Sequence, residues 1–192
     1  MNISKDELLF ADAFLKEHFE RYKEWVVGDI KKSCRLKEDG TCEDNGALVG
    51  AFILWCCAIE YFGGLLTADS GRSGTKARII RFTEKYLAKY GKYDGIKLEE
   101  LRWSLIHYYS PHHFVLAHEG NLGKYHLKKS NAGCVLHLAT SIKHLEHAVD
   151  DYTKDLWSNP QLRINAWRYW KKQEIIKPLD PAKIRYTDEE CD

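Results

Sequence analysis

The sequence predicts an all-α fold: a bundle of five to six helices with a small β-hairpin inserted near residues 114–129. Three observations carry this. Apolar residues recur at helical spacing along most of the chain, most cleanly at Leu138, Ile142, Leu145, Val149, Tyr152 and Leu156. The run from Gly46 to Thr67 is apolar on nearly every side, as the central helix of a bundle must be. The period changes after Pro111, where Phe114–Glu119 and Lys124–Lys129 flank Gly120-Asn-Leu-Gly123, the pattern of two short strands around a four-residue loop.

Taken in order, Ser4-Lys-Asp-Glu7 is a capping box, and Leu8, Ala11, Leu15, Tyr22 and Val26 extend it into a first helix from about Lys5 to Ser33. Arg35 to Asn45 is a polar loop. The second helix, Gly46 to Thr67, is the central one, and Ala68 to Gly74 has loop composition. A third helix, Thr75 to Tyr90, turns Ile79, Ile80, Phe82 and Tyr86 inward and its Lys and Arg residues outward. Gly91 to Gly95 is a turn, and a fourth helix spans about Lys97 to Tyr109 until Pro111 stops it. After the hairpin comes a long helix from about Ala132 to Trp157. Pro160 then restarts the chain into a last helix, Gln161 to Gln173. Residues 1–175 are expected to form one domain, and 176–192 an irregular tail.

Bulk properties narrow the function classes. The chain has 192 residues, 44% hydrophobic and 30% charged, enough for one soluble domain with a sizeable core. A net charge of +1 gives no global field for nucleic acid or an anionic membrane, so any such contact needs a local patch. The six cysteines form no C-x-x-C pair. Cys34 and Cys42 bracket a polar loop and could pair, but reduced thiols in a cytoplasmic protein are expected. Met1–Glu7 leads straight into an amphipathic helix rather than a secretory signal. The longest uncharged stretch, Gly46 to Ile59, falls short of the about 20 apolar residues a bilayer needs, so a core helix and no membrane partner are expected.

The fourth helix carries an always-charged guanidinium and an imidazole in an otherwise apolar run, Leu101-Arg-Trp-Ser-Leu-Ile-His107-Tyr-Tyr109. Charge is costly among apolar side chains, so the pair needs a reason. At about 100° per residue, Arg102 falls about 40° from Leu98, at the edge of the stripe Leu98, Leu101, Leu105 and Tyr109. His107 falls about 180° from Leu98, on the far side. One reading is structural: Arg102 pairs with Glu60, the lone charge of the central helix, and His107 sits favourably at a helix C-terminus. The other is chemical. Across a two-fold axis, two Arg102 and two His107 would converge, an imidazole moving a proton of RNA while the guanidinium holds its phosphate.

Arg102-Trp-Ser-Leu-Ile-His107 resembles the R-x(4–6)-H motif of the HEPN superfamily. The likeness extends over roughly Gly46 to Leu156, including a helix ending Ile59-Glu-Tyr-Phe-Gly-Gly64 before the motif and Tyr108-Tyr-Ser-Pro111, a hairpin and a long helix after it. The resemblance implies a small all-α bundle of toxin–antitoxin, abortive-infection or CRISPR-associated type, acting as a homodimeric, metal-independent endoribonuclease without a cofactor. It implies catalytic roles for Arg102 and His107, and RNA and an antitoxin protein as partners. The residue after the Arg is often Asn, Asp or His in active members and is Trp103 here. The alternative is a non-catalytic RNA- or protein-binding bundle.

Other clusters compete for attention. His137, His144, His147 and Asp151 fall within about 80° on the long helix and could ligate a transition metal, though a solvated polar face accounts for them as well. His112, His113, His118 and His126 form a looser group around the hairpin. Arg163, Trp167, Arg168, Trp170, Lys171 and Lys172 interleave rings with cations, suited either to nucleic acid or to amphipathic packing. Gly71-Arg-Ser-Gly-Thr75 lacks the lysine of a phosphate-binding loop and reads as a turn.

Overall fold

The structure, a computed structural model, describes residues 4–38, 41–43, 46–69, 71 and 74–173. The tail expected at 176–192 lies outside the described residues. Among the described residues six α-helices form the body: α1 (Lys5–Ser33), α2 (Leu48–Thr67), α3 (Thr75–Lys85), α4 (Gly95–Tyr108), α5 (Leu138–Ser158) and α6 (Pro160–Gln173).

Local chemistry sets the helix ends. The Ser4 hydroxyl accepts from the Glu7 amide at 3.1 Å and so caps α1, while the Glu7 carboxylate goes to Arg168 rather than back to Ser4 as a full capping box would have it. Asp94 accepts from the Ile96 and Lys97 amides and starts α4. Tyr109, in the left-handed region at φ 54°, ends it. The third helix is shorter than its periodicity predicts, because Tyr86 breaks the helical dihedrals (φ −121°, ψ −52°) and Leu87–Lys89 continues as a single 3₁₀ turn.

Helix α2 touches each of the other five α-helices. It is long and apolar enough to cross a membrane by length and composition, and here its Phe52, Trp55, Ile59 and Phe62 form the centre of the core. The Trp55 indole N–H donates to the Ser141 carbonyl at 2.9 Å, which ties α2 to α5. All six residues of the α5 stripe, Leu138 to Leu156, are buried.

The β element differs from the expected hairpin. Strands β1 (Phe114–Ala117), β2 (Lys129–Ser130) and β3 (Gly133–His137) form a three-stranded sheet in the order β1-β3-β2. Strand β1 pairs with β3 in parallel, Phe114 opposite Cys134 and Ala117 opposite His137. Gly120-Asn-Leu-Gly123 is part of a 3₁₀ helix, Gly120–Tyr125, rather than a hairpin loop. The reason is competition for an apolar partner. Gly133-Cys-Val-Leu buries more apolar surface beside Phe114-Val-Leu-Ala than the lysine-rich 124–129 segment can, which outweighs the longer closure. The true hairpin joins β2 to β3 around Asn131-Ala132. The long helix consequently begins at Leu138, not near Ala132.

Candidate functional site

Arg102 leans inward from α4, as the helical wheel requires, and its Nη2 lies 2.6 Å from Glu60 Oε2. Glu60 is shared. Its other oxygen lies 2.5 Å from Arg78 Nη2 and accepts from the Thr75 hydroxyl at 3.0 Å. Arg78 also donates to the Asp69 and Gly71 carbonyls, so it ties these two residues to the start of α3. One carboxylate thus ties together α2, α3 and α4. Arg78 is only 5% exposed, contrary to the outward placement its charge suggested. The missed signal was positional: Thr75, Arg78, Ile79, Phe82 and Tyr86 share one helical stripe, and Glu60 was available inside. The Arg102 cation also acts on Cys57, whose thiol burial pushes up and the guanidinium partly restores.

His107 faces the opposite way. It is exposed, with its ring 5.2 Å from Trp103 and 6.4 Å from Tyr108. Around it α4 shows water an apolar surface: Trp103 is 48% exposed, Ile106 39%, Tyr108 65% and Tyr109 71%. Within one protomer, Arg102 and His107 serve different surfaces.

The histidines of α5 do not form a ligand set. His137 is buried and caps α5, its Nδ1 accepting from the Thr140 amide. His147 stacks on Tyr90 at 5.2 Å, and Asp151 accepts from the Tyr90 hydroxyl and Lys89. His144 belongs instead to a hydrogen-bonded chain that sequence periodicity could not reveal. The His137 amide donates to His126 Nδ1 at 3.1 Å, which leaves the neutral ring's proton on Nε2. That nitrogen donates to the Tyr93 hydroxyl at 2.8 Å, and the hydroxyl in turn donates to His144 Nδ1 at 3.0 Å. His144 and His147 then line an open groove of about 1060 Å³ with Lys37, Lys124 and Lys143.

This chain has a pH consequence. Burial, with smaller contributions from His144 and His137, pushes His126 down to about 4 from an ordinary 6.5. Between those values the unfolded chain holds a proton that the folded chain excludes, so stability rises with pH there. The contribution is complete above pH 6.5 and is lost as pH falls toward 4. Burial lowers His137 and His144 in the same direction. The urea midpoint is expected to fall between pH 7 and pH 5, and to fall less in His126→Gln. An unchanged drop in that variant would place the titration elsewhere.

Packing takes up the arginines and tryptophans of the α6 run, while Lys171 and Lys172 are exposed. Arg168 makes a two-pronged contact with Glu7 at 2.8 and 2.9 Å, and Arg163 lies 2.5 Å from Asp12. The Trp170 indole donates to the Tyr61 hydroxyl, and Trp167 packs on Phe14 at 5.0 Å. These contacts seat α6 on α1 and α2. Comparison with protein-family models, characterised proteins and solved structures finds no match to this chain.

Proposed function

We propose that the chain is a HEPN-like, metal-independent endoribonuclease of a toxin–antitoxin or phage-defence type system, cytoplasmic and homodimeric through α4. The observation that carries this reading is the setting of His107. It stands in solvent within the patch Trp103, Ile106, Tyr108 and Tyr109, an apolar surface of the kind that marks an interface. A second copy packed there about a two-fold axis covers the patch and brings two imidazoles together. One takes the proton of an RNA 2′-hydroxyl as that oxygen attacks phosphorus. The other protonates the departing 5′-oxygen, leaving a 2′,3′-cyclic phosphate and a 5′-hydroxyl. Arg102, still 23% exposed and held in direction by Glu60, supplies the phosphate-binding cation. An antitoxin protein would act by covering the same surface.

Incubation with mixed RNA in EDTA tests the reading. Wild type is expected to cleave, and His107→Ala to lose about 10²–10⁴-fold of the rate, the usual worth of a general acid–base group. The side chain is exposed, so the variant should keep its fold. Equal cleavage by both proteins, or none by either, overturns catalysis.

A second reading, a non-catalytic RNA- or protein-binding bundle, is favoured by the Glu60 cluster. There Arg102 serves the fold by joining three helices. A dimer that binds RNA without cleaving it would be the result for this reading.

A further inference from the structure

Three ligand-bearing side chains unused by either reading meet beside α4. Glu100 on the helix faces His112 and His113 of the turn that follows, and one ligand atom from each lies within 4.8 Å of the others. His113 Nε2 is 3.9 Å from the Glu100 carboxylate, and the two imidazoles are 3.8 Å apart, nearly perpendicular. Among the described residues no other three His, Cys, Asp or Glu side chains converge so closely.

The turn is held in place. The Ser110 amide donates to the Ser104 carbonyl at 3.3 Å, the Phe114 amide to the Pro111 carbonyl at 3.0 Å, and the Cys134 amide to the His113 carbonyl at 2.9 Å. His112 sits in the left-handed region at φ 53°, a conformation that non-glycine residues adopt at a cost. Gly133 lies so close that a Cβ there would meet the His113 carbonyl oxygen at 2.6 Å. Pairing of β1 with β3 and the turn's own hydrogen bonds thus fix the backbone that carries two adjacent imidazoles beside one carboxylate. The direct reward is small, because an exposed His–Glu pair at this distance is screened by water. A cation among the three would supply the missing attraction.

We propose that Glu100, His112 and His113 form a binding site for a divalent transition ion, zinc being the ion it suits best. Two imidazole nitrogens and one carboxylate oxygen are a ligand set for zinc, whereas magnesium and calcium take oxygen alone. Ligands about 2.0–2.1 Å from a tetrahedral zinc stand about 3.4 Å from one another. The three ligand atoms already lie within 4.8 Å of one another on partly or fully exposed side chains, close to that spacing. Three protein ligands leave a fourth position for water or a group from another molecule. The ion would join α4 to the turn at Pro111–Phe114, on the helix that carries His107. The site stands whether or not the chain cleaves RNA.

Calorimetric titration of the full chain with zinc chloride, and separately with magnesium chloride, tests this. The expected result is one zinc bound per chain and no binding of magnesium. Glu100→Gln, His112→Ala and His113→Ala should each weaken zinc binding by at least about tenfold, since even outer-shell changes cost that much. His147→Ala, an exposed histidine outside the set, should leave the affinity unchanged. Circular dichroism of the zinc-free variants confirms that each is folded. Zinc binding that survives all three substitutions, falls equally in His147→Ala, is matched by magnesium or is absent in wild type overturns the site.

Discussion

Glu60→Gln is expected to destabilise the fold by about 3–5 kcal/mol, the range for removing one partner of a buried ion pair. Glutamine keeps the shape and one acceptor oxygen but removes the charge. Two guanidinium groups, Arg78 and Arg102, are then left facing a neutral amide, with the Arg78 side chain only 6% exposed. Arg78 cannot swing into water without releasing the Asp69 and Gly71 carbonyls that it also holds. Arg102→Met should cost less, because Glu60 keeps Arg78 and Thr75 and no unpaired charge remains inside. Urea denaturation of both variants checks the order. A Glu60→Gln cost below about 1 kcal/mol, the level of a solvent-exposed pair, would mean that water reaches the cluster.

How much of this was legible in the sequence depended on the range of the forces involved. The first helix runs from Lys5 to Ser33 as its sequence implies, because an N-cap serine and a periodic stripe are local signals. The α5 stripe is buried in full for the same reason. The Glu60–Arg102 contact was also accessible: a lone carboxylate in an apolar helix and an inward-leaning arginine leave little choice. The burial of Arg78 runs against its charge, although its position lies on the buried stripe of α3. The sheet departs from the expected hairpin because the pairing of β1 is a tertiary choice, in which the apolar Gly133–His137 segment takes the place of the nearer, lysine-rich 124–129 segment. The convergence of Glu100 with His112 and His113 depends on how one turn folds back over α4, and the Tyr93 chain on how α5 packs behind the sheet. Neither leaves a periodic trace. The catalytic reading of Arg102 and His107 turns on a second chain, which no single-chain pattern contains.

Gly63→Ala should destabilise by about 2–3 kcal/mol, against its own helix propensity. Gly in a helix interior is about 0.5–1 kcal/mol worse than Ala, so on local grounds the substitution helps. Space reverses the sign. A Cβ at Gly63 would lie 2.2 Å from the Arg78 carbonyl oxygen, 2.6 Å from its carbonyl carbon and 3.0 Å from its Cα. These are backbone atoms of α3 and cannot rotate aside, so α2 and α3 must part. Overpacking usually costs about 1–3 kcal/mol, and a backbone clash belongs at the upper end. The separation also carries Arg78 away from Glu60, so loss of packing and loss of the ion cluster reinforce each other. Gly28 supplies the control. It lies inside α1, and a Cβ there meets nothing within 4 Å, so Gly28→Ala should stabilise by about 0.5–1 kcal/mol. Opposite shifts of the urea midpoint for the two variants are the expected outcome. Stabilisation in both would mean that the α2–α3 contact relaxes freely, and that the close approach at Gly63 does not fix where Arg78 meets Glu60.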